Sequence, residues 1–156
     1  MKETDDPLQP HSHEPNPAPP SATPGFWLQW DTNKQWLTPT DLKKWPLVRV
    51  PNCYIVSTGH GRSGPFLFGG VAILTLIDEM VGEMAWTQVE VVSGDGFGTR
   101  LWAEELRREG GDQIILSYER DKRPLTREAG LVRLIVPSEA DDALRQVKWV
   151  ATVTIK

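Results

Sequence analysis

From Val147 to Lys156 the chain alternates, with Val147, Trp149, Ala151, Val153 and Ile155 apolar against Lys148, Thr152, Thr154 and Lys156. A period of two sends the two sets to opposite faces of a half-buried strand. "CYIVST" (53–58), "WTQVEVVS" (86–93), "QIILSYE" (113–119) and "LVRLIVP" (131–137) are rich in β-branched and aromatic residues and read as further strands. The spacing changes in "VAILTLIDEMV" (71–81), where Val71, Leu74, Ile77 and Val81 form one helical stripe. "RLWAEELRRE" (100–109) predicts a second helix, ended by Gly110-Gly111. "TPTDLKKW" (38–45) predicts a short one, capped by Thr38 or Thr40 and stopped before Pro46. Glycines make a loop of "GHGRSGPFLFGG" (59–70) and a tight turn of "GDGFG" (94–98). The sum is an α+β fold: a mixed β-sheet with flanking helices and no internal repeat.

Proline divides the chain. Seven of its 13 prolines fall in the first 25 residues, which also carry −3 of the net charge of −4. Few apolar side chains are there to offset the entropy of ordering, so residues 1–25 are expected to be a disordered tail and 26–156 a single domain. Trp27, Trp30, Trp36 and Trp45 lie within twenty residues and are expected in core and edge packing, since they lack the interleaved basic residues of a base-stacking surface. A nearly neutral domain argues against nucleic-acid binding. The lone cysteine excludes a disulfide framework and a cysteine-based zinc site. No apolar run is long enough to span a membrane, and no secretory or twin-arginine signal is present, so a cytoplasmic location is expected.

Local motifs give little chemistry by themselves. Gly59, Gly61 and Gly64 match the dinucleotide pattern after a strand, but the helix waits until Val71, and Asp78 lies inside that helix instead of ending a second strand. The loop can still offer backbone N–H groups to an anion beside Arg62. His60 stands near Ser57, Thr58 and Ser63 without a readable triad. His11 and His13 in the tail are two ligands without a third.

The order of segments is more specific than any one of them. "LTPTDLKKWPLVRV", "GVAILTLI", "VEVVSGDGFGTRLWAEEL", "QIILSYERDKRPL", "LVRLIVP" and "VKWVATVTI" together resemble the molybdopterin-binding domain of sulfite oxidase-type oxidoreductases over residues 36–156. The resemblance implies that family's fold, here as a short single-domain member, and a molybdenum atom held by a pterin dithiolene with a phosphate tail. Such a cofactor needs cations for its phosphate and a thiolate for its metal. By the resemblance, Arg133 of the Pro-Leu-Arg motif and Lys148 of the Val-Lys-Trp motif face the cofactor, Arg145 adds charge, and Gly59 and Ser57 border it.

The departures from the pattern are specific too. The family's metal-ligating cysteine falls at Val56, and Cys53 lies three residues upstream, on the other face of a regular strand unless a bulge intervenes. Cys53 is therefore the weak candidate for a molybdenum ligand, with Ser57 and Thr58 as oxygen alternatives. Glu128 or Ala129 replaces the family's pterin-contacting histidine, and Leu131 replaces a proline. Two functions follow: a molybdopterin-dependent oxidoreductase performing oxygen-atom or electron transfer, or a molybdenum-free module of the same fold that binds a small anion or a protein partner.

Overall fold

The computed structural model describes residues 25–57, 61–126, 131–137 and 147–156. The predicted tail falls outside them except for Gly25. Two sheets, each made of five described strands, build the α+β fold. The first has the order β2-β1-β10-β5-β6, made of β1 (Phe26–Trp30), β2 (Asn33–Leu37), β5 (Gln88–Ser93), β6 (Gly98–Trp102) and β10 (Val150–Ile155). It is mixed, because β1 runs parallel to β10 while its other pairs are antiparallel. The second runs β3 (Val48–Ser57), β4 (Gly61–Ala72), β7 (Ile115–Arg120) and β8 (Arg123–Pro124), and β9 (Arg133–Ile135) also pairs with β7.

Alternation along β7 explains why there are two apolar clusters. Leu116 and Tyr118 join the main core with Phe26, Leu28, Val89, Val91 and Ile155 of the first sheet and Leu76 and Ile77 of a helix. Ile115 turns to the other face and packs with Val50, Cys53, Phe68, Leu125 and Ile135.

Three expectations change. The loop expected at 59–70 is a strand from Gly61 onward, and β4 absorbs its glycines because β7 crosses it closely. A Cβ on Gly70 would stand 2.0 Å from the Leu116 carbonyl oxygen. Gly64-Pro65, joined by a cis peptide bond, falls where the β3–β4 register slips between Cys53↔Phe66 and Ile55↔Ser63. The helix expected at 71–81 is α2 (Ile73–Val81), and it buries Ile73, Leu76 and Ile77, a stripe rotated from the predicted one because Val71 and Ala72 belong to β4. The helix expected at 100–109 is only α3 (Ala103–Arg107), since residues 98–102 alternate and pair with β5 as β6.

The short helix is α1 (Pro39–Leu42), capped as expected at Thr38: the Asp41 N–H donates to Thr38 Oγ1 at 3.3 Å and the Thr38 N–H to Asp41 Oδ2 at 2.9 Å. The β1–β2 hairpin had no counterpart in the sequence reading. Trp30 and Trp45 pack on the core, while Trp27 and Trp36 face each other edge-on across the hairpin, 5.1 Å between centroids and over a third exposed. In the C-terminal strand Trp149 takes φ 56°, which breaks the alternation: Trp149 and Val150 are both buried, and Ala151 is only partly so. No helix among the described residues is long and apolar enough to cross a membrane.

Candidate functional site

Backbone pairing assembles a cluster of cations on the second sheet. β9 lies antiparallel to β7 with Arg133 opposite Ser117. The segment leading to β10 then docks on β9, as the Leu134 N–H donates to the Val147 carbonyl at 2.7 Å and the Val150 N–H to the Val132 carbonyl at 3.0 Å. Lys148 is thereby held across from Arg133. The turn after β5 closes on the same segment, since the Gly94 N–H donates to the Trp149 carbonyl at 2.9 Å.

Arg133 is 6% exposed, and its guanidinium lies 5.9 Å from the centre of the Phe68 ring. Phe68 pairs with Arg120 across β4 and β7, and the Arg120 guanidinium sits 4.6 Å from the Phe66 ring. Phe66 and Phe68 meet edge-on at 5.9 Å, so two arginines share one pair of aromatic rings. Burial pushes the Arg133 pKa down to about 10, and the nearby Arg120 charge adds to the effect. Lys148 is also held below its ordinary range, first by burial and then by Arg133, with Asp95 acting in the opposite sense. Asp95 itself is held by Ser93, whose hydroxyl donates to its carboxylate. Three cations thus converge where each disfavours the next, and an anion placed among them relieves both the repulsion and the lost solvation.

The sequence candidates distribute unevenly over this site. Arg133 and Lys148 are brought together. Ser57 is the last residue of β3, opposite Gly61, and Arg62 pairs with Val56. Gly59, His60, Arg145, Glu128 and Ala129 lie outside the described residues. Arg120 was missed as a site residue, because only the β4–β7 and β7–β9 registers place it beside Arg133.

Cys53 lies in a different environment from the cations. It is 5% exposed within the second apolar cluster, and its thiol donates to the Val50 carbonyl at 3.3 Å. The extra residue of β3 falls between Val50 and Cys53, upstream of the span that separates Cys53 from position 56. Burial pushes the Cys53 pKa up to about 11, so the group is a thiol at neutral pH and not the thiolate a metal takes. Among the described residues no three His, Cys, Asp or Glu side chains gather as a metal site. We expect Cys53 to stay unreacted with a disulfide reagent such as DTNB at pH 7.5 in the folded protein and to react fully in denaturant. Rapid native labelling would refute this closed environment.

A two-sheet α+β fold with a cluster of cations around the buried Arg133 defines the class, and comparison with solved structures places the fold. The chain is similar to the sulfane dehydrogenase SoxCD from Paracoccus pantotrophus, with a TM-score of 0.64 and 17% sequence identity over 84% of this chain and 37% of that one. At that identity the likeness shows the fold, and the chain spans little more than a third of the length of its neighbour. No family model and no curated protein matches the chain.

Proposed function

We propose that the domain binds a phosphorylated pterin of the molybdopterin class, in the manner of sulfite oxidase-type oxidoreductases, with Arg133 and Lys148 anchoring its anionic end. The observation that carries this reading is the convergence of Arg133, Lys148 and Arg120, with Arg133 and Lys148 lowered in pKa first by burial and then by a neighbouring arginine. A bound anion favours the charged form of those cations and offsets their desolvation. The fold shared with a dehydrogenase supports the same class. Gly59, Ser57 and Arg145 are the further candidates for this anchor.

The residues fit the two ends of such a cofactor unequally. When bound, it supplies oxygen-atom or electron transfer at molybdenum. The cations match its phosphate, but position 56 is valine and Cys53 is a protonated thiol inside an apolar cluster. No redox step is therefore assigned to this chain, and binding is the function proposed. The closed environment of Cys53 also favours a second reading, a molybdenum-free anion-binding module.

Protein expressed in a host that makes the cofactor, then denatured and assayed for pterin fluorescence and for molybdenum, separates the two. Stoichiometric pterin, lost in an Arg133→Met, Lys148→Met variant that stays folded, supports the proposal. Absence of pterin from the wild-type protein overturns it in favour of the module, and pterin retained by the double variant removes these residues as the anchor. Cys53→Ser is expected to leave the metal content unchanged, and a loss would make Cys53 the ligand.

A further inference from the structure

A cavity of about 400 Å³ opens between α1 and the β7–β8 hairpin. Its wall touches both apolar clusters, since Tyr118 packs in the main core and Leu125 packs with Phe68 in the other. Tyr118, Leu125, Pro39, Pro124 and Leu131 give it much apolar surface, and Lys43, Lys122 and Glu119 complete its lining. Lys43 is the residue at the end of α1, and its ammonium stands 5.8 Å from the Tyr118 ring. The carboxylate beside them, Glu119, is already engaged by Arg49 at 2.9 Å. Neither lysine has a carboxylate partner among the described residues. Lys44, not Lys43, takes the acid of α1, Asp41.

Of the six non-glycine residues with positive φ among the described residues, two line this cavity. Lys122 takes φ 70° and Leu131 φ 56°, left-handed conformations that glycine adopts freely and side-chain-bearing residues rarely do. The turn holding Lys122 is pinned from β4, as the Asp121 N–H donates to the Leu67 carbonyl and the Leu67 N–H to Asp121 Oδ1. At both positions the fold accepts backbone strain where glycine would remove it, and both residues line one cavity.

We propose that this cavity binds a small monocarboxylate with an apolar body, its carboxylate held between Lys43 and Lys122 and its body against Tyr118, Leu125 and Leu131. The volume is near the lower end for small-molecule sites, which suits a compact acid. The cations draw the carboxylate, and the aliphatic Pro39, Pro124, Leu125 and Leu131 of the lining favour a hydrocarbon body over a sugar or nucleotide.

Titration calorimetry with phenylacetate and hexanoate, and with inorganic phosphate as the charged probe without an apolar body, tests the site. At least one of the two acids is expected to bind, and phosphate is expected not to displace it. Lys122→Gly relieves the strained φ and is expected to raise the thermal midpoint while weakening the acid about tenfold. Lys43→Ala is expected to weaken it similarly, and the exposed Lys34→Ala to leave it unchanged. No binding heat from either acid, equal binding by Lys122→Gly and Lys43→Ala, or full displacement by phosphate overturns the proposal.

Discussion

Alanine at Gly70 is expected to leave the domain unfolded under conditions where the wild type is native. The added Cβ would stand 2.0 Å from the Leu116 carbonyl oxygen and 2.6 Å from the Ser117 Cα, both backbone atoms of β7. No rotamer change relieves a clash with backbone. β4 must separate from β7, and β7 also carries β9 with Arg133. We place the cost above roughly 4 kcal/mol, a large share of the 5–15 kcal/mol typical of a domain. Gly82 provides the contrast: its φ is 63°, but a Cβ there meets nothing within 4 Å, so Gly82→Ala is expected to cost only about 1 kcal/mol. Far-UV circular dichroism and urea midpoints followed by tryptophan fluorescence distinguish the two variants. A Gly70→Ala protein with a wild-type midpoint would show that the close crossing of β4 and β7 is not as described.

Gly70 also shows why part of the fold was hidden in the sequence. Local signals located five strands and three helices, because alternation and caps act over a few residues. Thr38 capped α1 as its spacing indicated. Glycines 61, 64, 69 and 70 looked like a loop because glycine is permissive, whereas at Gly70 it is required by a strand more than forty residues further along the chain. β6 was hidden behind the helix-forming residues that follow it, and only its pairing with β5 sets the boundary at Trp102. The break in alternation at Trp149 was equally illegible, since its positive φ is imposed by contacts on both sides of the segment: the Trp149 carbonyl is held by Gly94 and the following Val150 N–H by Val132.

The site was legible only as a resemblance. Arg133 and Lys148 stand out because the order of motifs resembles that of a family, and their proximity follows from β9 and its pairing with the segment before β10. Arg120 carried no such signal. Its role depends on lying beside Phe68 on β7, a register that no local pattern encodes. The sequence could place Cys53 three residues from the expected ligand position. It could not place the extra residue of β3, which falls upstream of Cys53 and seats it with Val50 and Phe68.

Arg133→Met is expected to make the ligand-free domain more stable and to remove its anion binding. Burial, and after it the Arg120 charge, hold Arg133 at about 10, well below the ordinary arginine range. At about 1.4 kcal/mol per unit, keeping the charge inside the fold costs roughly 3 kcal/mol. The sign follows from proton counting. From about pH 10 up to the ordinary arginine range the unfolded chain binds more protons at this site than the folded one, so stability from this group rises with pH there. Below that window both states are charged and the full cost persists, including at pH 7. Methionine keeps an apolar stem and drops the charge, and exchanging a buried charge for a hydrophobe of similar size commonly gains about 1–4 kcal/mol. Urea midpoints at pH 7 with and without pyrophosphate are the measurement. The ligand-free variant is expected to unfold at higher urea than the ligand-free wild type. Pyrophosphate is expected to raise the wild-type midpoint by mass action and to leave the variant unmoved. A lower midpoint for the ligand-free variant would mean that the contacts of Arg133 within the protein outweigh its desolvation, and the cationic cluster would then be structural, with no stored cost for an anion to relieve.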